Sequence, residues 1–192
     1  MSISSGSTIY ASDADSYINV SKGNPIYASE MNKVINYLTP PTEWKAGKST
    51  FTAYDICYGN GKYIIVGNGK IAYSTDLTSW TRVSQSIFSS YVRSVCYENG
   101  KFIAVGDDGK TAYSTDGVTW NYATNTNKYN GVCFGNGKFI GVGNLGALHY
   151  STDGSTWTKI SQSVITGNIM CCTHGGGKFA AINGSGNVAY CT

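Results

Sequence analysis

The chain has 192 residues, the length of one ordinary domain with room for a short appendage. Charged residues make up 13%, about half the usual share, while aromatic residues also make up 13%, which excludes an intrinsically disordered chain. A net charge of +3 with two arginines gives no basis for nucleic-acid binding, and no apolar run is long enough to insert into a membrane. The composition therefore predicts a soluble all-β protein.

Residues 1–40 differ from the rest of the chain and contain one short amphipathic pattern. Its apolar residues recur at helical spacing and are Met31, Val34, Ile35 and Leu38. The sequence predicts a helix over residues 29–38, which Pro40 ends. Since a lone helix this short is marginal in water, we expect residues 1–40 to attach the protein to a partner. Association of identical copies is favoured over packing on the rest of the chain.

Residues 41–192 repeat a pattern with a period near 40 residues. A lysine after a Gly-containing turn marks each repeat, at Lys62, Lys101, Lys138 and Lys178. Each repeat predicts four short strands joined by tight turns, the first of them an Asn-Gly hairpin in three repeats. Four strands in about 40 residues match one blade of a β-propeller, which is the fold class predicted here. The predicted repeats cover residues 51–85, 86–124, 125–162 and 163–192.

The two ends of residues 41–192 complement each other. The last repeat stops after its third strand, while Trp44 lies in a segment that matches the fourth strand around Trp80. We predict that residues 41–50 supply the closing strand for the last blade, because this pairing removes two open sheet edges. The sequence leaves open whether the ring closes within one chain or between chains.

The six cysteines do not read as a disulfide framework. Cys57, Cys96 and Cys133 recur once per repeat after an apolar residue, which is typical of small core residues. Cys171, Cys172 and Cys191 are less regular, so a bridge among these three stays an alternative.

Three copies of a turn precede the last strand of three repeats. Their shared residues are Ser74, Asp76, Trp80, Ser114, Asp116, Trp120, Ser151, Asp153 and Trp157. The turns resemble the Asp-box (BNR) hairpin of sialidase-like β-propellers, although Gly follows Asp directly in two copies and Leu77 takes that place in the first. The whole unit also resembles repeats of phage and prophage tail proteins. In the Asp-box family these residues are structural, and the Asp side chain is suited to accept backbone N–H groups of its own turn.

The sequence does not predict an enzyme. A sialidase-type site needs a cluster of arginines to bind a carboxylate, and only Arg82 and Arg93 are present. His149 and His174 stand where sister repeats have Ala or an aromatic residue, and we interpret both as repeat variants. We expect no catalytic residue, no metal and no cofactor.

The segments that join the repeats are where the repeats diverge, and they hold the candidate ligand-binding residues. These are Tyr54, Tyr91, Arg93, Tyr129 and Asn130. Tyrosine beside serine and asparagine offers rigid stacking area and adaptable hydrogen bonds. The low charge favours a neutral sugar over an anion.

These observations lead to a functional hypothesis that depends in part on the resemblance. We expect a non-catalytic receptor-binding or tail-fibre subunit of a phage or prophage virion, whose propeller contacts a cell-surface glycan. Residues 1–40 would bind copies of the chain and other virion proteins. The alternatives are a purely structural virion decoration or tail subunit, a secreted extracellular lectin-like protein and, less favoured, a glycan-cleaving enzyme.

Overall fold

The computed structural model describes residues 8–9, 18–19, 45–124, 127–162 and 164–191. The predicted helix over residues 29–38 and the predicted strand residue Trp44 lie outside these ranges. Among the described residues, no helix is long and apolar enough to cross a membrane.

The chain divides into two compact units, residues 1–46 and residues 47–192. In the first unit, the described residues form one short antiparallel ladder. Its strands are β1 (Thr8–Ile9) and β2 (Ile18–Asn19), with Thr8 opposite Asn19.

The second unit contains four antiparallel sheets that follow one another along the chain, each a simple meander. The first sheet consists of β3 (Ala53–Gly59), β4 (Lys62–Gly67), β5 (Lys70–Ser74) and β6 (Thr81–Arg82). The second consists of β7 (Val92–Glu98), β8 (Lys101–Gly106), β9 (Lys110–Ser114) and β10 (Asn121–Thr124). The third consists of β11 (Tyr129–Gly135), β12 (Lys138–Gly143), β13 (Leu148–Ser151) and β14 (Thr158–Lys159), with a 3-10 turn at Asn144–Gly146. The fourth consists of β15 (Ile169–Gly175), β16 (Lys178–Asn183) and β17 (Val188–Cys191).

The hairpin between the first two strands of each sheet follows from its sequence. In the second sheet, Asn99 and Gly100 have φ values of 50° and 74°. Two successive positive φ values define the tight turn whose twist matches the flanking strands, and Asn-Gly is the dipeptide that adopts it most readily. The same pair of angles occurs at Asn60–Gly61 and Asn136–Gly137, as the sequence predicts.

Apolar packing joins each sheet to the next. Ile64 and Val66 of the first sheet share one buried cluster with Phe102 and Trp120 of the second. A second cluster joins the second sheet to the third, and another joins the third to the fourth. The sheets are therefore stacked in chain order, with the core lying between neighbouring sheets and not inside any one of them.

The fourth sheet ends at an open edge among the described residues, where β17 pairs with β16 alone. The described part of the predicted closing strand, residues 45–50, forms no strand. The outer sheets also leave large apolar side chains exposed, including Tyr58 (59%) at one end and Tyr190 (72%) at the other.

All six cysteines are free. Cys57, Cys96 and Cys133 are half-buried and pack against the clusters between sheets, as their spacing predicts. Burial raises the pKa of the Cys57 thiol to about 12, so this side chain is un-ionised at neutral pH.

Candidate functional site

A β-bulge occurs at the same place in the first strand of every sheet. In each case the pairing with the second strand skips one residue, directly after the first paired position. The skipped residues are Tyr54, Arg93, Asn130 and Met170, and we call them the bulge row. A bulge redirects the side chain of the extra residue away from the regular alternation of the strand.

The guanidinium of Arg93, a member of the bulge row, is held on two sides. Its Nε lies 3.0 Å from both carboxylate oxygens of Asp107, and Nη2 donates to Oδ2 at 2.6 Å. Its Cζ lies 4.9 Å from the ring centroid of Tyr91 and 5.7 Å from that of Tyr54. The hydrogen bonds that Arg93 donates to Asp107 raise the pKa of Arg93, so the charge of this group is permanent.

The two tyrosines form an exposed aromatic corner around Arg93. Their ring centroids are 5.7 Å apart and the ring planes meet at 76°, an edge-to-face arrangement. Tyr54 is 45% exposed and Tyr91 is 42% exposed. Both tyrosine rings therefore expose a large aromatic surface to solvent. Their contacts with the Arg93 guanidinium restrain the positions of the rings.

A polar cavity of about 360 Å3 opens beside this corner, and we call it the mouth cavity. Its lining consists of Arg93, Asp107, Lys128, Asn130, Asn144, Asn168 and Met170. The Asn130 amide donates to Oδ1 of Asn144 and to the carbonyl of Ile169, both at 2.9 Å. Three members of the bulge row thus line one cavity, and the fourth contacts Arg93 at its rim.

The structure brings four of the five sequence-predicted binding residues to this surface and buries the fifth. Tyr129 is fully buried, with its ring 5.7 Å from that of Trp157. It is the first residue of β11 and belongs to the core between sheets, so it does not contribute to the candidate site.

Two further residues of the mouth cavity were not predicted from the sequence, although both occupy the same position in their repeats. Asp107 and Asn144 each follow the glycine that ends the second strand of their sheet, and Asn68 has the same place in the first sheet. Hydrogen bonds hold this position beside the bulge, since the Asp107 amide donates to the Tyr91 carbonyl at 2.9 Å. In the first three sheets, a polar residue directly after the strand-ending glycine therefore marks this position in the sequence.

The three Ser-Thr-Asp turns lie away from this cavity and are held by internal hydrogen bonds. Asp116 Oδ1 accepts from the backbone N–H groups of Val118 and Thr119 at 2.8 and 2.7 Å, and from Ser114 Oγ. The same pattern occurs around Asp76 and Asp153. The backbone donors hold the pKa of Asp116 down at about 2.

Each of three carboxylates in this region accepts hydrogen bonds, although Oδ1 of Asp108 is buried without a partner among the described residues. Asp107 binds Arg93, while Asp55 Oδ2 accepts from Ser94 Oγ and from the Val95 amide at 2.8 and 2.9 Å. Asp108 Oδ2 accepts from the Ser89 amide at 2.8 Å. Within the described ranges, no cluster of His, Cys, Asp and Glu is arranged to hold a metal ion.

Solved structures supply the comparison, since no protein-family model and no curated protein matches the chain. The chain is similar to the computationally designed Ika4 protein, with a TM-score of 0.61 and 9% identity over 75% of this chain and 92% of that one. It is similar to virginiamycin B lyase from Staphylococcus aureus, with a TM-score of 0.57 and 14% identity over 71% and 54%. The WD40 β-propeller domain of Doa1 gives a TM-score of 0.59 and 14% identity over 74% and 51%.

The second unit has a propeller-like fold. At 9–14% identity these likenesses concern the fold alone, and the chain spans about half the length of the two natural structures. One of those neighbours is a lyase, so the shared fold leaves unconfirmed the expectation that this chain is not an enzyme.

Proposed function

We propose that the propeller is a non-catalytic glycan-binding module of a phage or prophage virion, and that the bulge row forms its contact surface. The single observation that carries the binding proposal is the exposed Tyr54–Tyr91 corner restrained by Arg93 beside a cavity lined by asparagines. Aromatic faces stack on the apolar faces of sugar rings, and amide groups pair with hydroxyls in either direction. The virion setting is supported by the resemblance of the repeats to those of phage tail proteins.

A binding screen of the full chain against glycans and bacterial envelope polysaccharides tests the contact surface. We expect binding that Tyr91→Ala weakens about tenfold or more, since truncation of an aromatic anchor costs more than about 1 kcal/mol. Tyr122→Ala is the matched control, because Tyr122 is 55% exposed and lies on β10, outside the mouth cavity. Equal binding by both variants would contradict the proposed surface.

Mass spectrometry of the recovered glycan separates binding from cleavage. A glycan of unchanged length supports the non-catalytic proposal. Shortened product would instead establish the glycan-cleaving alternative, with Asp107 and Asp108 as the first carboxylates to substitute.

The structural virion subunit is the second candidate, and the exposed apolar side chains of the outer sheets favour it. Ile56 and Tyr58 at one end, and Val188 and Tyr190 at the other, are each at least half exposed. Surfaces of this kind are typical of contacts with neighbouring subunits. Failure to bind every glycan in the screen would favour this candidate.

We further propose that the N-terminal segment performs two tasks. Residues 1–40 associate with copies of the chain and with other virion proteins, and the segment around Trp44 adds the fourth strand to β17. The repeat pattern supports the added strand, because in each of the other three sheets a tryptophan comes directly before the fourth strand. Light scattering of the full chain tests the association, and Leu38→Asp is expected to reduce the mass to that of a monomer.

A further inference from the structure

A second and larger cavity, of about 690 Å3, lies beside the third sheet, and we call it the lateral pocket. It is bounded by the β13–β14 pair, by the 3-10 turn at Asn144–Gly146 and by the segment that joins β14 to β15. The residues that matter for its chemistry are Asn127, Lys128, His149, Lys159 and Gln162. Its volume is in the range of small-molecule sites, which is about 300–1,000 Å3.

His149 gives this pocket a buried hydrogen-bonding group that the sister sheets lack. Ala72 and Ala112 occupy the equivalent positions of the first two sheets, and a methyl group there needs no polar partner. His149 is only 6% exposed, and its Nδ1 has no hydrogen-bond partner among the described residues. A polar atom left unpaired in the interior destabilises the fold, because it has lost its hydrogen bonds to water.

The neighbouring amide determines which partner Nδ1 requires. Nε2 of His149 lies 3.2 Å from Nδ2 of Asn127, and an amide nitrogen can only donate. Nε2 therefore accepts in this arrangement, and the proton of the neutral ring resides on Nδ1. Burial lowers the pKa of His149, and the charge of Lys159 lowers it further, which agrees with a neutral ring. The group that lacks a partner is an N–H donor.

The charges around the pocket have one sign. Lys159 is directly opposite His149 in the β13–β14 ladder, and Lys128 belongs to the lining on the side of the mouth cavity. No carboxylate occurs among the described residues of the lining. The lining therefore contains two ammonium groups and the His149 side chain, and its described residues supply no counter-charge.

We propose that the lateral pocket binds a small ligand through a carboxylate or phosphate group, whose oxygen accepts the Nδ1 proton of His149 while Lys159 and Lys128 balance its charge. Such an oxyanion satisfies the buried donor and supplies the missing counter-charge at once. The lateral pocket shares Lys128, Asn144 and Asn168 with the mouth cavity but does not include the aromatic corner, so it does not depend on glycan binding at Tyr54 and Tyr91.

Calorimetric titration of the full chain tests this site with three probes: glucuronate, inorganic phosphate and uncharged glucose. We expect saturable binding of at least one of the two anions, and glucose to bind at least about tenfold more weakly. Comparison of glucuronate with phosphate shows which oxyanion the pocket takes. His149→Ala, which installs the residue of the first two sheets, and Lys159→Gln are each expected to reduce affinity for that anion about tenfold or more.

Two control variants separate this site from general charge effects and from the aromatic corner. Lys138→Gln removes a lysine of the third sheet that lies outside the lateral pocket. We expect this variant to bind the anion with the affinity of the parent chain. Tyr91→Ala is likewise expected to keep anion binding, so failure of the glycan proposal leaves this one standing.

The proposal is overturned if neither anion binds saturably up to about 10 mM, a concentration that corresponds to an affinity too weak to be specific. It is also overturned if His149→Ala and Lys159→Gln bind the anion as the parent chain does. Nitrogen NMR of the unmodified protein covers the case in which a variant fails to fold. The Nδ1 resonance of His149 is expected to shift on addition of the anion, and an unmoved resonance overturns the proposal.

Discussion

A single non-glycine residue with positive φ in the first Ser-Thr-Asp turn offers a direct test of backbone strain. Leu77 has a φ of 64°, whereas Gly117 and Gly154 occupy its place in the sister turns at 72° and 76°. A left-handed conformation costs an L-residue about 1–2 kcal/mol, and Leu77 is 41% exposed, so its burial offsets only part of this cost. We expect Leu77→Gly to raise the free energy of unfolding by about 1 kcal/mol in urea titrations.

Leu77→Ala is the matched control, because alanine shortens the side chain but keeps the Cβ atom that causes the strain. It is expected to give no gain in the free energy of unfolding. A Leu77→Gly variant no more stable than the parent chain would show that this turn is not strained.

The carboxylates of the same turns predict how stability depends on pH. The pKa of Asp116 is lowered to about 2 in the folded chain, against about 3.9 in an unfolded one. A lowered pKa stabilises the fold above pH 4, and this contribution is lost as the pH falls from about 4 to about 2. The carboxylates of Asp76 and Asp153 have pKa values lowered by the same kind of backbone donors.

We therefore expect the melting temperature in scanning calorimetry to fall between pH 4 and pH 2, and to fall less steeply in Asp116→Asn. Asparagine keeps an oxygen acceptor for the turn but does not titrate. Glu98→Gln removes a carboxylate outside the turns and is expected to keep the parent slope. An unchanged slope in Asp116→Asn would refute the assignment.

Within the second sheet, the backbone at Gly106 lies so close to Tyr91 that a change in packing there also affects the proposed ligand-binding surface. A Cβ atom added at Gly106 would lie 2.3 Å from the Tyr91 carbonyl oxygen and 3.1 Å from Cα of Val92. The strand that carries the bulge therefore has to move if Gly106 is replaced. We expect Gly106→Ala to lower the free energy of unfolding by about 1–3 kcal/mol, and to weaken ligand binding at the aromatic corner because Tyr91 moves.

Gly175→Ala is the control, since a Cβ atom at Gly175 meets nothing within 4 Å. Its unfolding free energy is expected to stay within about 0.5 kcal/mol of the parent value, as for an ordinary surface substitution. Equal losses in the two variants would indicate that glycine at position 106 is not needed for close packing.

The sheets could be predicted from short sequence motifs. No such motif distinguishes the buried Tyr129 from the exposed Tyr54, which explains why Tyr129 was predicted to bind ligand. Asn-Gly turns and the 40-residue period depend on neighbouring residues, so they can be recognised without the fold. Tyr54 and Tyr129 look alike in sequence, but the strand register aligns Tyr129 with Val92 and Ile169, which are buried, whereas Tyr54 aligns with Asn130 of the bulge row. A shift of one residue moves a side chain to the opposite face of a strand, and only the bulge reveals it.

For the whole molecule, the proposed closing strand around Trp44 predicts a change at the far end of the chain. If Trp44 anchors this strand, Trp44→Ala is expected to increase hydrogen exchange at the amides of β17 (Val188–Cys191), whose edge is otherwise open. Mass spectrometry of exchanged peptides measures this directly. Trp80→Ala is the control and is expected to affect the first sheet instead, while unchanged exchange at β17 in Trp44→Ala would exclude the closure.

The bulge row separates the residues that meet a ligand from the residues that build the core. Its four positions hold Tyr54, Arg93, Asn130 and Met170, which are aromatic, cationic, amide and thioether side chains on otherwise similar strands. Because a bulged residue is left out of the strand pairing, its identity is under little constraint from the sheet. A library randomised at these four codons would therefore sample new specificities on an unchanged scaffold, and natural variants could diverge in the same way.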